Sequence, residues 1–202
     1  MTKKPRIGVI LGTTRPTRWG GKPAAWIRDR INADGRMEAE VLDLATFDLP
    51  FFEEVASSHW VPSQSPAAVA WQTALSGFDG FVFVTAEYNH SISGVLKNAL
   101  DHAFDEWARK PAAIVGYGGL GAARAAQHLR EIAVELRMVN VMPGVHLAGS
   151  ELMKIHPAAG GEGEVADIEY AIAESADKMI EELHWWSVLL RDARQAEAAK
   201  AA

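Results

Sequence analysis

Short strand-like segments alternate with helical segments along the first three quarters of the chain. The strand-like runs of apolar and β-prone residues occupy 6–11, 38–44, 80–85, 111–117 and the region 139–147. Between them, apolar residues recur every three or four positions, which predicts helices. Consecutive strands joined by helices form parallel sheets with right-handed crossovers. The pattern therefore predicts an α/β fold: a doubly wound, five-stranded parallel sheet with helices on both faces.

No internal repeat or linker divides the 202 residues, so we expect a single domain over 1–202. Apolar residues at helical spacing predict a C-terminal helix over 164–192, and we expect the alanine-rich tail after Asp192 to fray. Residues 48–66 contain three prolines and form an unusually long connection. Connections of that length are often functional.

Composition excludes several classes of protein. The chain has no cysteine, which excludes disulfides and thiolate metal sites. Its formal charge of −6 argues against a nucleic-acid-binding surface, which needs clustered Lys and Arg. No apolar run approaches the roughly 20 residues of a membrane span, so we expect a cytoplasmic protein. The seven histidines show no metal-ligand spacing, and no metal site is predicted.

The loop after the first strand, residues 12–21, has the chemistry of a phosphate site. Threonine hydroxyls, Arg15 and Arg18 precede a helix N-terminus, where anions bind favourably. It is not a Walker A loop, because Gly21 and Lys22 are followed by Pro23. The alternative is a glycine-rich turn with solvated arginines.

Two further loops follow strands. Residues 87–91 offer several hydrogen-bonding side chains and one aromatic ring, which suits a flat ligand with polar edges; the alternative is a cap for the helix near Ile92. Residues 116–121 match G-x-G-x-x-G, but no acidic residue ends the next strand before Glu151, which disfavours a dinucleotide site. Glycines there would let backbone amides approach a planar ligand.

Together these segments resemble the NADPH-dependent FMN reductase family of flavodoxin-like proteins. The resemblance covers about residues 5–150 and rests on three stretches: GTTRPTR at 12–18, VTAEYNHSISGVLKNA at 84–99, and YGGLGAARA at 117–125. Thr17, Ala86 and Ser93 depart from the usual family pattern. The resemblance implies a flavodoxin-like sheet of order 2-1-3-4-5 in a homodimer or homotetramer, with FMN at the carboxyl edge of the strands.

The resemblance also implies roles for individual residues. The FMN phosphate would be held by Thr13, Arg15, Arg18 and Gly20. The isoalloxazine and ribityl chain would be lined by Glu87, Tyr88 and Asn89, and the ring would be contacted by Gly118 and Gly119. No catalytic side chain is implied, because the flavin carries the chemistry.

The function that follows is an FMN-dependent NAD(P)H oxidoreductase, with NAD(P)H as co-substrate, which reduces flavins, quinones or similar planar acceptors by ping-pong hydride transfer. The alternatives are an electron-transfer flavodoxin and a non-catalytic interaction module. Arg15, Arg18 and the modest negative charge favour the enzyme. We expect the outer walls of the acceptor pocket to be Trp19, Trp60, Tyr88 and Tyr117. We expect an interface between subunits to include Phe51, Phe52, Trp60, Phe104 and Trp107.

Overall fold

A parallel sheet forms the centre of the molecule in the computed structural model, which describes residues 3–201. The strands are β1 (Arg6–Leu11), β2 (Glu38–Asp43), β3 (Gly80–Ala86), β4 (Pro111–Tyr117), β5 (Val139–Asn140) and β6 (Val145–Leu147). The α-helices are α1 (Gly21–Asp34), α2 (Pro66–Ser76), α3 (Gly94–Asp101), α4 (Ala123–Glu135), α5 (Gly149–Ile155) and α6 (Glu169–Ala201).

The strand order is β2-β1-β3-β4-β5, which confirms the predicted flavodoxin-like order 2-1-3-4-5. The predicted fifth strand is divided into β5 and β6, and both pieces pair with β4 in parallel. The interruption contains Pro143, which has no N–H to donate to a neighbouring strand. The break therefore lies at the edge of the sheet, where the proline is tolerated.

Side chains of β3 alternate between two hydrophobic layers. Val82 and Val84 face α1 and α6, whereas Phe81 and Phe83 face α2, α3 and α4. Alternation follows from the two-residue period of a strand, and burial on both faces explains why β3 is entirely apolar apart from one threonine. Trp107 is completely buried against Phe81 and Phe83, so its predicted place in a subunit interface is wrong.

The C-terminal region differs from the sequence prediction. The last helix begins at Glu169, after a 3₁₀ turn at Val165–Ile168, and it continues to Ala201 instead of fraying after Asp192. Arg194 of this helix donates to Asp79 at 3.0 Å, which ties the tail to the sheet. The short helix α5 has no counterpart in the prediction. Among the described residues, no helix combines the length and apolar character needed to cross a bilayer.

Candidate functional site

Three loops meet at the carboxyl edge of the sheet. They comprise residues 12–20 after β1, 87–91 after β3 and 118–122 after β4. Because β1, β3 and β4 are adjacent and parallel, the chain leaves all three at the same edge. Open α/β sheets bind ligands in this position, beside the point where the strand order reverses.

The first loop packs against Tyr117 at the end of β4. Thr13 is buried, and its Oγ1 lies 3.4 Å from Tyr117 Oη. Gly20 is closer still, since a Cβ added there would lie 2.6 Å from the same Oη. Burial raises the pKa of Tyr117, so the phenol remains protonated near neutral pH. Glycine at position 20 therefore lets the loop close onto the tyrosine.

The two arginines of the first loop have different surroundings. The Arg15 guanidinium is exposed and lies 5.5 Å from the centre of the Tyr88 ring, so it connects the first loop to the second. Among residues 3–201, no carboxylate forms an ion pair with Arg15. Arg18 instead forms an ion pair with Asp43 at the end of β2. The charge of Arg15 is therefore the one more available to an anion.

The second loop is a tight turn. Tyr88 N–H donates to Ser91 O at 2.8 Å, and Ser91 N–H donates back to Tyr88 O at 3.1 Å. Asn89 and His90 adopt left-handed φ angles of 49° and 76°, which are uncommon outside glycine and often occur at functional sites. Asn89 is exposed at the tip of the turn. Just after this turn, Ser93 caps α3 by accepting from Leu96 N–H, so a helix cap does follow the loop.

Glu87 is engaged by α4. Its Oε1 accepts from Arg124 Nε at 2.6 Å, and its Oε2 accepts from the backbone N–H of Arg124 at 3.1 Å. The hydrogen bond from Arg124 holds the pKa of Glu87 below its usual value. The residue before α4, Ala122, offers no side-chain cap, so the carboxylate of Glu87 takes that role. It thereby fixes the second loop to the helix.

The third loop presents backbone to open space. Gly118 has a φ of 148°, which only glycine adopts readily, and its N–H donates to Leu147 O at 3.2 Å. No atom lies within 4 Å of a Cβ built at Gly119. A flat molecule can therefore approach the backbone of Gly118 and Gly119 without meeting a side chain.

Trp19 and Tyr117 are buried, so their prediction as outer walls is wrong. Each is 6% exposed, and their rings pack edge to face with centroids 5.3 Å apart. Trp60 also lies elsewhere, in a groove with Phe104 and Arg137 beyond the C-terminal end of α3. Tyr88 is half-buried among the loops, as a wall residue would be.

One residue of the site was missed by the sequence analysis. His156, which follows α5, places its ring 5.1 Å from that of Trp19. Burial and the charge of Arg15 both lower the pKa of His156. No local pattern marks this histidine, because it lies more than a hundred residues after the loop that it contacts.

The residues at this edge fit the FMN that the resemblance implies. A phosphate needs a cation and hydroxyl donors, which Arg15 and Thr13 supply. Trp19 Nε1 and Tyr88 Oη are buried polar atoms that have no hydrogen-bond partner among the described residues. Buried polar groups are normally paired, and a ligand bound at this edge could supply the partner that each of these two atoms lacks. Within residues 3–201 there is no group of three His, Asp or Glu side chains able to hold a metal ion.

Comparison with known proteins agrees with this geometry. A family model described as NADPH-dependent FMN reductase matches residues 5–151, which contain all three loops. An NAD(P)H-dependent FMN reductase of Schizosaccharomyces pombe is 32% identical over 177 residues, covering 84% of this chain and 88% of that protein. A 2-hydroxy-1,4-benzoquinone reductase of a Burkholderia species is 43% identical over 141 residues, covering 66% of this chain and 73% of the reductase. The solved structure of FerB, a flavoenzyme NAD(P)H:(acceptor) oxidoreductase from Paracoccus denitrificans, has a TM-score of 0.66 at 23% identity, over 89% of this chain and 97% of FerB.

Proposed function

Because the chain belongs to the NADPH-dependent FMN reductase family, we propose that it is an FMN-dependent NAD(P)H oxidoreductase that reduces quinones, flavins and similar planar acceptors. The observation that carries the proposal is the convergence of three loops at one sheet edge, through the contacts of Arg15 with Tyr88 and of Thr13 with Tyr117. All of these residues lie inside the segment that the family model matches.

The first loop supplies the phosphate site in this proposal. Arg15 contributes a positive charge that no carboxylate in residues 3–201 neutralises, Thr13 a hydroxyl, and Gly20 the space for the loop to close on Tyr117. Arg18 lies in the same loop, and its ion pair with Asp43 holds the guanidinium at the end of β2. The N-terminus of α1 adds the partial positive charge of a helix dipole.

The second and third loops would position the flavin ring. Tyr88 and Asn89 would contact the isoalloxazine and ribityl chain, and Gly118 and Gly119 would let the ring approach their backbone. Glu87 would act through Arg124 and α4, by holding the turn that carries Tyr88 and Asn89. When bound, FMN supplies the hydride-transfer chemistry between NAD(P)H and the acceptor. The residues of the chain bind and orient it.

We infer that NAD(P)H and the acceptor occupy one site in turn. Steady-state rates measured while the concentrations of NADPH and a benzoquinone are both varied should give parallel lines in double-reciprocal plots. Stacking contacts discriminate weakly between planar molecules, so several quinones and flavins should have kcat/KM values within about two orders of magnitude. Intersecting lines, or one acceptor preferred by many orders of magnitude, would contradict this part of the proposal.

The alternative is an electron-transfer flavodoxin with the same fold. Arg15 and Arg18 in the phosphate loop and a formal charge of only −6 favour the reductase. Similarity to an S. pombe reductase over 84% of the chain favours it as well. The two functions differ in whether NAD(P)H reduces the protein directly. A cytoplasmic location belongs to the same proposal, because the reductant NAD(P)H is an intracellular cofactor.

We also propose that the protein is a homodimer or homotetramer. Phe51 and Trp60 are 87% and 77% exposed on the long connection between β2 and α2. The connection is nevertheless fixed: Asn98 donates to Pro50 O at 2.7 Å and accepts from Phe52 N–H at 2.9 Å. Large apolar side chains held outward on an ordered segment are typical of an interface.

Sedimentation velocity tests the proposed oligomer. The wild type should sediment as a dimer or tetramer, and the double variant Phe51→Ser/Trp60→Ser should shift towards the monomer. Tyr170→Ser is the matched control, since Tyr170 is 71% exposed on α6, outside the connection. A wild type that sediments as a monomer at micromolar concentration would contradict the proposal.

A further inference from the structure

A segment outside the family match contacts both the first loop and helix α1, which follows that loop. The match ends at residue 151, and His156 beyond it packs its ring against Trp19. Further along, Lys22 at the start of α1 donates to Gly163 O at 2.9 Å and forms an ion pair of 2.8 Å with Glu164. The stretch from His156 to Glu164 is thus held beside the first loop at several points.

His156 presents an unused hydrogen-bond donor to this region. Its Nδ1 accepts from Ala158 N–H at 3.2 Å, which places the proton of the neutral ring on Nε2. Within the described part of the chain, Nε2 has no acceptor. Trp19 Nε1 is a second ring donor, buried and without an acceptor. Buried donors are normally paired, so Trp19 Nε1 indicates a ligand that accepts hydrogen bonds, and the ring of the half-buried His156 lies 5.1 Å from the Trp19 ring.

The nearby charges identify the kind of ligand. Burial and, after it, the positive charge of Arg15 lower the pKa of His156, and Arg15 forms no ion pair with a described residue. Arg18 is already engaged by Asp43. A phosphate carries up to two negative charges and several strong acceptor oxygens. Since Arg15 is the one arginine of the loop without an ion pair among the described residues, such a group would need further donors.

We propose that His156 Nε2 and Trp19 Nε1 donate hydrogen bonds to the phosphate of FMN, so that the segment after α5 completes the phosphate site. This inference rests on the proposed function, since it assumes that FMN binds at these loops. The phosphate site would then include His156, which lies beyond the matched segment. It would also include Trp19, whose ring packs between those of Tyr117 and His156.

Comparison of FMN with riboflavin isolates the phosphate, because riboflavin is the same molecule without it. Apoprotein should be titrated with each ligand, and Kd measured from the quenching of flavin fluorescence. His156→Phe keeps an aromatic ring against Trp19 but removes the N–H. It should raise the Kd for FMN by about tenfold, the effect of losing one hydrogen bond to a charged group, and leave the Kd for riboflavin unchanged.

Two other variants sharpen the test. His156→Gln retains a side-chain N–H and should recover part of the FMN affinity, and Trp19→Phe should lose FMN affinity selectively, as His156→Phe does. His184→Phe is the matched control, a half-buried histidine on α6 whose surroundings are Asp34 and Arg36. It should leave both Kd values unchanged. Thermal unfolding of each apoprotein checks that the fold is retained.

The outcomes separate the inference from the proposed function. If His156→Phe weakens FMN and riboflavin equally, or weakens neither, the phosphate role of His156 is wrong. If the wild-type protein binds neither ligand, the proposed function itself is wrong. Selective loss of FMN affinity, with partial recovery in His156→Gln, supports the inference.

Discussion

The guanidinium of Arg15 lies 5.5 Å from the centre of the Tyr88 ring, so the loop after β1 touches the loop after β3. A cation over an aromatic face at an exposed position contributes about 0.5–1 kcal/mol. The contact holds the arginine above the edge of the sheet, where its charge is free to meet an anion. Substitution of Arg15 is therefore the most direct test of the phosphate site.

Arg15→Ala should weaken FMN binding to the apoprotein. A hydrogen bond between charged groups contributes about 1.5–3 kcal/mol, which corresponds to a rise in Kd of about 10- to 150-fold. Fluorescence titration measures the change. Arg28→Ala, at an arginine of α1 that forms an ion pair with Asp29, is the control and should have no effect. An unchanged Kd in Arg15→Ala would show that this side chain does not hold the phosphate.

Two neighbouring glycines should respond differently to alanine. A Cβ at Gly20 would lie 2.6 Å from Tyr117 Oη and 2.9 Å from Leu11 Cδ1, so Gly20→Ala must displace the loop. We expect it to lower the free energy of unfolding by about 1–3 kcal/mol and to weaken FMN binding. Nothing lies within 4 Å of a Cβ at Gly21, and Gly21→Ala should be neutral or slightly stabilising. Denaturant unfolding gives both values, and equal effects would contradict the close approach at Gly20.

Glu87→Gln should destabilise the protein in a pH-dependent way. Arg124 keeps the pKa of Glu87 below its unfolded value, so the stabilisation is complete above the unfolded pKa of about 4.3 and is lost as pH falls through the lower folded value. At pH 7 the variant should lose about 1 kcal/mol, as for loss of a helix cap, and the difference should shrink below pH 4. Glu53→Gln, at an exposed glutamate, is the control. A pH-independent difference would exclude an ionic role for Glu87.

Lys110→Met should stabilise the protein at neutral pH. Lys110 is buried beside Phe81, its Nζ donates to Leu75 O at 3.1 Å, and burial lowers its pKa to about 8. Below pH 8 the lysine is charged in both the folded and unfolded states, so the fold carries the full cost of burying that charge. Removing it should raise the free energy of unfolding by up to about 3 kcal/mol at pH 7.

That advantage should diminish as the pH rises from 8 towards 10, because the folded lysine loses its proton there while the unfolded one retains it. Urea unfolding at pH 7 and pH 10 measures the difference. Lys97→Met is the control, at a lysine on α3 that is half exposed and pairs with Asp101. An advantage of the same size at both pH values would contradict a depressed pKa for Lys110.

The sheet could be predicted from sequence because its determinants are local. Runs such as 80–85 are apolar on both faces, which indicates a central parallel strand, and alternation with helices then leaves few possible topologies. The parallel sheet also predicts that the three loops lie close together, because neighbouring parallel strands end at the same edge of the sheet. Pro143 also fits the break between β5 and β6, because proline has no N–H to donate to a neighbouring strand.

The features that could not be predicted from the sequence depend on contacts between distant parts of the chain. Trp19 looked like an exposed loop residue, but Tyr117 and His156 bury it from two sides. Nothing in the sequence around Glu87 indicates that its carboxylate accepts from the N-terminus of α4, 37 residues later. The polar C-terminal tail lacks a helical stripe of its own and is held by long-range ion pairs, such as that of Arg109 with Glu197. Such pairings have no local sequence signal.

Anaerobic mixing of FMN-loaded protein with NADPH, without any acceptor, tests the central claim most directly. We expect the visible absorbance of the oxidised flavin to disappear on mixing and to return when a benzoquinone is added. NADH should be run in parallel to establish the nicotinamide preference. A flavin that stays oxidised with both nicotinamides would contradict the assignment as a reductase and would favour an electron-transfer protein.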